Sequence, residues 1–451
     1  MSSSPWLKVE SWFKQYGPII TLRLGHKKLV FIGGYKAAVD IMERQGQSTA
    51  DRPDSIAAGE LLTGGLSLPL AHHGDRFRRM RRAMHTHLQP AAAAAYHPLQ
   101  SEYAKKFVMG LLDDPHHFEE HARSMKIAYG KTTPTSVSDP EVIRAVEGVD
   151  MVLAALKPGA YMVDIIPWLK YIPWYGRELR EHFRGTMRLF SQQLGRVENE
   201  LEEGSNASHS FGRYLLENQT HHGLSEDEAL FLAGVFFAAG FDTTMVVLCT
   251  MIVAAARFPE EQRKVQDELD AVIGSDRAPT FADRQSLPRV VAFISETQRW
   301  RPLVPMGMPH STTKDVIWEN YIIPAGTTVF GHQWSIGRDP EIFPDPHTFK
   351  PDRWLDAEGR FRDDLKFFPY GFGRRACPGQ HVANNSLFVN TALMLWGFRF
   401  ARDPMKPWPD MSYMQGIPPE QLRCKIDIQP RLPEAKIRRA MEDYPSYDNM
   451  V

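Results

Sequence analysis

The sequence predicts a mainly α-helical fold with small β-sheets. The stretch 229–256 is apolar almost throughout, 101–204 carries a largely helical pattern, and short β-type runs occur only near the N-terminus and beyond Trp300. No change of composition divides the 451 residues, so one domain spanning 1–451 is expected. With 43% hydrophobic and 24% charged residues the chain can bury a large core and is not a disordered protein. Lys and Arg total 53 against 54 for Asp and Glu, which leaves no global field for nucleic acid, and no nucleic-acid partner is expected. Three cysteines, Cys249, Cys377 and Cys424, are too few and too scattered for a disulfide framework or a zinc cluster.

Taken in order, residues 1–17 are polar and suggest neither a signal-peptide core nor a spanning helix. Residues 19–24 and 28–32 flank a Gly25-His26 turn and read as a hairpin, with a helix over 35–44; together they form an N-terminal hairpin-and-helix segment, 17–60. Residues 52–73 are rich in Gly, Pro and Leu without a period and read as a long ordered loop. The helical region 101–204 breaks at Pro158-Gly159 and at two Ile-Pro-Trp units, 166–168 and 172–174. Ser225 and Glu228 form a capping box that opens a long helix, 225–256, and Arg257-Phe258-Pro259 closes it. Asp242 lies near its middle. A carboxylate at a bilayer centre costs about 2.5–3.5 kcal/mol, which favours a buried core helix over a membrane span. Helices follow over 259–273 and 288–300, then strand-like pieces to Phe330, a Pro-rich meander over 339–354, and strands mixed with loops.

The strongest chemical signal is 370–379, Tyr-Gly-Phe-Gly-Arg-Arg-Ala-Cys-Pro-Gly, followed by a helix-compatible run over 381–395. Gly371 and Gly373 permit a tight turn, and Pro378 with Gly379 lets the backbone come close to whatever the sulfur binds. A cysteine just before a helix N-terminus is favoured as thiolate, the form that ligates metals. An isolated cysteine on a Gly-rich turn is ordinarily inert and buried. Ten residues agreeing in type and spacing point the other way.

This loop resembles the haem loop of the cytochrome P450 family, Phe-x-x-Gly-x-Arg-x-Cys-x-Gly. Gly373, Arg375, Cys377 and Gly379 match, and Tyr370 stands where the family has Phe, adding a hydroxyl near the sulfur or its loop. Three further motifs occur in the family's order. Glu296-Thr297-Gln298-Arg299 and the Arg353 of Phe349-Lys350-Pro351-Asp352-Arg353-Trp354 correspond to the family's buried charge network of Glu296, Arg299 and Arg353. Read alone, Glu296 and Arg299 would be an exposed helical pair. Ala239-Gly240-Phe241-Asp242-Thr243-Thr244 resembles the oxygen-activating segment. There Gly240 leaves room beside the helix, and Asp242 with Thr243 is the acid–alcohol pair that delivers protons; the bland alternative is a Thr bonding back to its own helix. Phe77-Arg78-Arg79-Met80-Arg81 matches a Trp-x-x-x-Arg motif with Phe77 in place of Trp. Arg81, His310 and Arg375 are the expected holders of the haem propionates.

The resemblance implies a P450 fold, with the long helix over a haem b that is sandwiched against the cysteine loop and Cys377 as axial iron ligand. It implies a monooxygenase that uses dioxygen and electrons from NADPH-cytochrome P450 reductase or a similar donor. The cofactor-side set is Arg81, His310, Arg375, Gly373, Tyr370, Phe77 and Ala239. Pocket candidates by family position are Leu66, Phe236, Phe237, Thr244, Val304, Met306 and Ile417; most are apolar and suit a lipophilic small molecule. The style is nearest to filamentous-fungal members of specialised metabolism, with terpenoid or polycyclic aromatic substrates. Arg76, Arg78, Arg79 and Arg82 surround Arg81, either as a solvated face or as a docking surface for an acidic reductase. The Ile-Pro-Trp units either touch a membrane surface peripherally or pack inside. The family's usual N-terminal membrane anchor does not precede the hairpin, so the expectation is a soluble, cytosolic protein or a truncated chain. Three Asn-x-Ser/Thr matches, at Asn206, Asn218 and Asn384, are read as chance. Alternatives on the same fold are a peroxide-using peroxygenase or a haem isomerase, both disfavoured by the intact Asp242-Thr243 pair; a non-catalytic haem-binding protein is the alternative of another class.

Overall fold

The structure is a computed structural model that describes residues 5–25, 27–123, 139–157, 159–203, 210–403, 405 and 426–445. The side chains of residues 119, 123, 140, 241 and 242 lie outside the described set. The chain divides into two compact units. The first comprises 1–50, 97–122 and 243–451, the second 51–96 and 123–242.

The first unit holds the sheets. Strands β1 (Ile19–Leu24), β2 (Lys27–Ile32), β3 (Pro309–Ser311) and β6 (Thr328–Gly331) form a four-stranded sheet in the order β1-β2-β6-β3. β1 and β2 pair antiparallel with Ile20 opposite Phe31, as the hairpin reading requires, whereas β2 and β6 pair parallel with Val30 opposite Val329. Strands β4 (Val316–Trp318) and β5 (Tyr321–Ile323) form one two-stranded ribbon, and β7 (Phe398–Arg402) with β8 (Ile426–Pro430) another. Val30, Ile32, Ile41, Met42, Val316, Val329 and Phe372 pack into one apolar cluster, which ties the main sheet to the segment carrying the cysteine loop. The helix Gln380–Gly397 that follows the cysteine is buried along most of its length. On it lies the helix His97–Asp113, whose Gln100 Nε2 donates to the Val382 carbonyl at 2.8 Å and to Ser386 Oγ at 2.7 Å.

Two elements of this unit escaped the sequence reading. Residues Pro5–Tyr16 form a helix whose Trp6 and Val9 are buried. Its apolar residues recur at helical spacing, but so many polar neighbours lie among them that the period is weak in the sequence. A helix over Glu434–Glu442 likewise closes the chain where only strands and loops were expected.

The second unit is built on the helices Asp75–Leu88, Pro140–Ala155, Arg177–Glu202 and Phe211–His222. The segment 52–73 is not simply a loop: Ile56–Leu62 forms a π-helical segment with Ile56, Ala57, Ala58, Leu61 and Leu62 buried. Its first amides are satisfied by Asp164 Oδ1, at 2.6 Å from Ile56 N and 3.0 Å from Ala57 N. A helix start satisfied from more than a hundred residues away carries no local sequence signal.

The long helix runs over Glu226–Arg257, and the boundary between the units falls within it, at Asp242/Thr243. Its capping box is present. Glu228 N donates to Ser225 Oγ at 3.2 Å, and Ser225 N donates to Glu228 Oε2 at 3.1 Å. The helix is long and apolar enough to cross a bilayer. Met245, Leu248, Cys249 and the run 251–255 are nonetheless buried inside the first unit, as in the core helix of a globular protein.

Candidate active site

Within the first unit the cysteine loop is held by its own backbone. Gly371 and Gly373 adopt φ of +83° and +51°, which an L-residue rarely tolerates. A Cβ on Gly373 would also lie 2.8 Å from the Met42 carbonyl oxygen and 3.1 Å from Gly46 Cα, so glycine is needed there for close approach as well as for turning. The Cys377 N–H donates to the Tyr370 carbonyl at 2.9 Å, closing the loop. The partly exposed thiol precedes the Gly379 N-cap of the buried helix by two residues, where the helix dipole favours a negative sulfur.

Arg375 and His310 are brought together by one short segment. Arg375 Nε donates to the Ala50 carbonyl at 2.5 Å, and His310 Nδ1 lies 2.7 Å from the Thr49 carbonyl. A carbonyl can only accept, so Nδ1 carries the proton, and His310 can bind an anion through Nε2 only as the imidazolium. Both residues are buried. A guanidinium and an imidazole anchored on consecutive carbonyls make an arrangement suited to carboxylates.

The Tyr370 hydroxyl donates to Asn384 Oδ1 at 2.7 Å and accepts from Gln298 Nε2 at 3.4 Å. Burial, and after it the neighbouring Cys377, pushes its ionisation well above the usual phenol range, so it acts as a neutral hydrogen-bonding group. Asn384 belongs to one of the Asn-x-Ser matches, and the bond to Tyr370 agrees with reading that match as chance.

Glu296 and Arg299 are fully buried rather than an exposed helical pair. The Arg299 guanidinium is bidentate on the carboxylate, Nε to Oε2 at 2.8 Å and Nη2 to Oε1 at 2.7 Å. Arg353 Nε adds a contact to Oε1 at 3.2 Å, so the three residues meet. The sequence reading missed two further donors, Trp354 Nε1 to Oε2 at 3.0 Å and Lys350 N to Oε1 at 2.7 Å. Asp352 lies outside this cluster and pairs with Lys264 and Arg289.

On the long helix Ala239, Gly240 and Thr243 are exposed and Thr244 is half-buried; Asp242 lies in the helix, with its side chain outside the described set. Among the described residues a Cβ on Gly240 would meet nothing within 4 Å, consistent with room beside the helix. Thr250 shows the alternative behaviour of such a residue, its hydroxyl bonding back to the Val246 carbonyl at 2.7 Å.

In the second unit Phe77 is buried and Arg81 half-buried on the helix Asp75–Leu88, four residues apart and so on one face. The surrounding arginines are less available than a solvated face implies. Glu228 draws in Arg76 Nε at 2.9 Å and Arg79 Nη2 at 3.3 Å, while Arg78 pairs with Asp75. Of the pocket candidates here, Leu66 packs with Leu189, Phe190 and Phe231, Phe237 is buried, and Phe236 stands edge-on to Phe211 at 4.9 Å. In the first unit Val304 is exposed, and Met306 packs beside Trp6 and Trp334. Ile417 lies outside the described residues.

Comparison with known proteins agrees in kind. A family model described as Cytochrome P450 matches residues 2–425. The chain is 45% identical over 434 residues to cytochrome P450 monooxygenase 113 of Postia placenta, covering 95% of this chain and 88% of the relative. It is 35% identical over 454 residues to an Armillaria gallica cytochrome P450 monooxygenase, covering 96% and 87%. Among solved structures, a zebrafish cytochrome P450 with abiraterone superposes with a TM-score of 0.75 at 25% identity, covering 95% of this chain and all of that one.

Proposed function

The chain belongs to the cytochrome P450 family of haem-dependent monooxygenases, and on that premise we propose that it inserts one oxygen atom from dioxygen into a lipophilic small molecule of fungal specialised metabolism, with Cys377 as the iron ligand. The observation that carries the reading is the loop around Cys377, closed by its N–H bond to Tyr370, turned by two positive-φ glycines, and set at the start of a buried helix.

The residues fit a haem. A cysteine sulfur stands on a loop that Gly371 and Gly373 turn at positive φ, and Arg375, with His310 anchored on the neighbouring carbonyl, supplies a guanidinium for propionates. When bound, haem supplies dioxygen activation, with the thiolate donating electron density to the iron. The chain's own residues do the rest. The dipole of the helix after Cys377 favours its thiolate, and Arg375 with His310 and, by the family's pattern, Arg81 would hold the carboxylates. Gly240 would leave space for dioxygen and a water, and Thr243 with Asp242 is the acid–alcohol pair that would deliver protons. Terpenoid or polycyclic aromatic substrates suit the aromatic side chains Phe236 and Phe237 of the long helix. Arg78, exposed on its helix although paired with Asp75, and Arg82, also exposed, are the arginines we assign to contact with an acidic reductase. Ile165, Trp168, Tyr171 and Trp174 are 54%, 62%, 77% and 73% exposed, which supports peripheral contact with a membrane surface over packing inside.

The test is the absorption spectrum of the dithionite-reduced protein with carbon monoxide. A strongly red-shifted Soret band is expected, and it should vanish in Cys377→Ser; a haem spectrum without that shift in the unaltered protein removes Cys377 as thiolate ligand. Thr243→Ala should keep haem but divert reducing equivalents to hydrogen peroxide, and unchanged coupling would refute the proton relay.

A further inference from the structure

Tyr370 stands where the family's loop has Phe, and the structure shows what the added hydroxyl touches. Tyr370 holds the cysteine segment from both sides. Its carbonyl accepts from the Cys377 N–H at 2.9 Å, seven residues ahead, and its hydroxyl donates to Asn384 Oδ1 at 2.7 Å, seven residues further on. The sulfur-bearing residue therefore lies between two ties made by one side chain and its own backbone. Gln298 Nε2 reaches the same hydroxyl from the helix that carries Glu296 and Arg299. Asn384 is itself held from outside the loop. Arg284 Nη1 donates to its carbonyl at 3.4 Å, while the guanidinium lies 5.1 Å from the Phe388 ring centroid.

A phenol has one proton to donate. Here it is given to Asn384, so it is not given to the sulfur. We propose that Tyr370 and Asn384 form a clasp that positions the thiolate: the pair resists loss of the Cys377–iron bond and leaves the electron density of the sulfur untouched. Tyr370 is thus a positioning residue. Direct tuning by an O–H···S bond would draw charge from the thiolate and raise the iron's potential, whereas a clasp changes how long the ligand stays in place. The inference rests on Cys377 being the iron ligand.

The experiment uses the haem-loaded protein and three variants, Tyr370→Phe, Asn384→Ala and the double substitution. Tyr370→Phe restores the family's residue, so it guards against a trivial failure to fold. Two quantities are read: the rate at which mild denaturant converts the red-shifted carbon monoxide band to its thiol-ligated form, and the ratio of reduced to oxidised iron at a fixed applied potential. The clasp requires each single variant to lose the thiolate band about fivefold faster, the magnitude of one modest hydrogen bond. The double variant should be no faster than either, and the redox ratio should change by less than twofold in all three. Additive rates in the double variant would overturn the coupling between the two side chains. A redox ratio moved tenfold or more by Tyr370→Phe but not by Asn384→Ala would overturn the clasp in favour of direct tuning. If the unaltered protein binds haem without a red-shifted band, Cys377 is not the thiolate ligand, and the clasp falls with that reading.

Discussion

Glu296 and Glu228 are both buried glutamates that gather two arginines, yet they do so under different conditions. Glu296 receives Arg299 in bidentate contact, Arg353, the Trp354 indole and the Lys350 amide, and the two arginines are as buried as the carboxylate or nearly so. Glu228 receives Arg76 and Arg79, whose side chains remain 42% and 36% exposed, and also accepts from the Ser225 amide at the helix start. In the first case every partner has left water, so loss of one member strands the others in a low-dielectric site. In the second, water replaces what is lost. Glu296 is therefore expected to be indispensable to folding, and Glu228 a modest contributor that biases a helix terminus.

The sharpest break in that comparison is Glu296→Gln. Removing the carboxylate's charge while Arg299 stays buried should cost about 3–5 kcal/mol, read as a lowered denaturation midpoint and a loss of haem-loaded soluble protein. A loss below 1 kcal/mol would place Glu296 with Glu228.

Acid should weaken the first unit through another buried group, His332. Burial, with a smaller contribution from Arg338, lowers the ionisation of His332 from 6.5 to about 3. The unfolded chain then binds a proton that the folded one refuses. Stability is complete above about pH 6.5 and falls as pH drops towards 3, by at most about 1.4 kcal/mol per unit from this group. His332→Asn should flatten that slope in denaturation curves recorded between pH 6 and 4.

A smaller effect is expected from Trp354→Phe, which deletes one donor to Glu296 while keeping most of the ring. About 1.5–2 kcal/mol should be lost, the range of a hydrogen bond to a charged group. The smallest should come from Glu228→Gln, about 0.5–1 kcal/mol and diminished by salt, because its arginines stay solvated. Salt-independent destabilisation there would show that exposure is a poor guide to the difference between the two clusters.

Much of the candidate site was legible because its motifs are local. Glu296 and Arg299 lie three residues apart on one helix, and Gly371, Gly373 and Cys377 lie within one turn-forming segment. What was not legible lies far away in sequence. Lys350 and Trp354 reach Glu296 across 54 and 58 residues, and Asp164 starts the Ile56–Leu62 segment across more than a hundred. Neither shows in a pattern of hydrophobic spacing. The exposure of Trp168 and Trp174 was undecided for the same reason: a Pro-rich aromatic segment reads alike whether it packs inside or faces solvent.

By itself the sequence determined the helical periods, the capping box at Ser225, the glycines that let the cysteine loop turn, and the order of motifs that identifies the family. These are properties of neighbouring residues, and short-range sterics and hydrogen bonding decide them. Only the tertiary structure decided which charges lose their water, that Arg375 and His310 share the Thr49–Ala50 segment, and that the Tyr370 hydroxyl goes to Asn384. Desolvation and the choice among competing hydrogen-bond partners depend on what the rest of the chain brings alongside, and no local pattern encodes that.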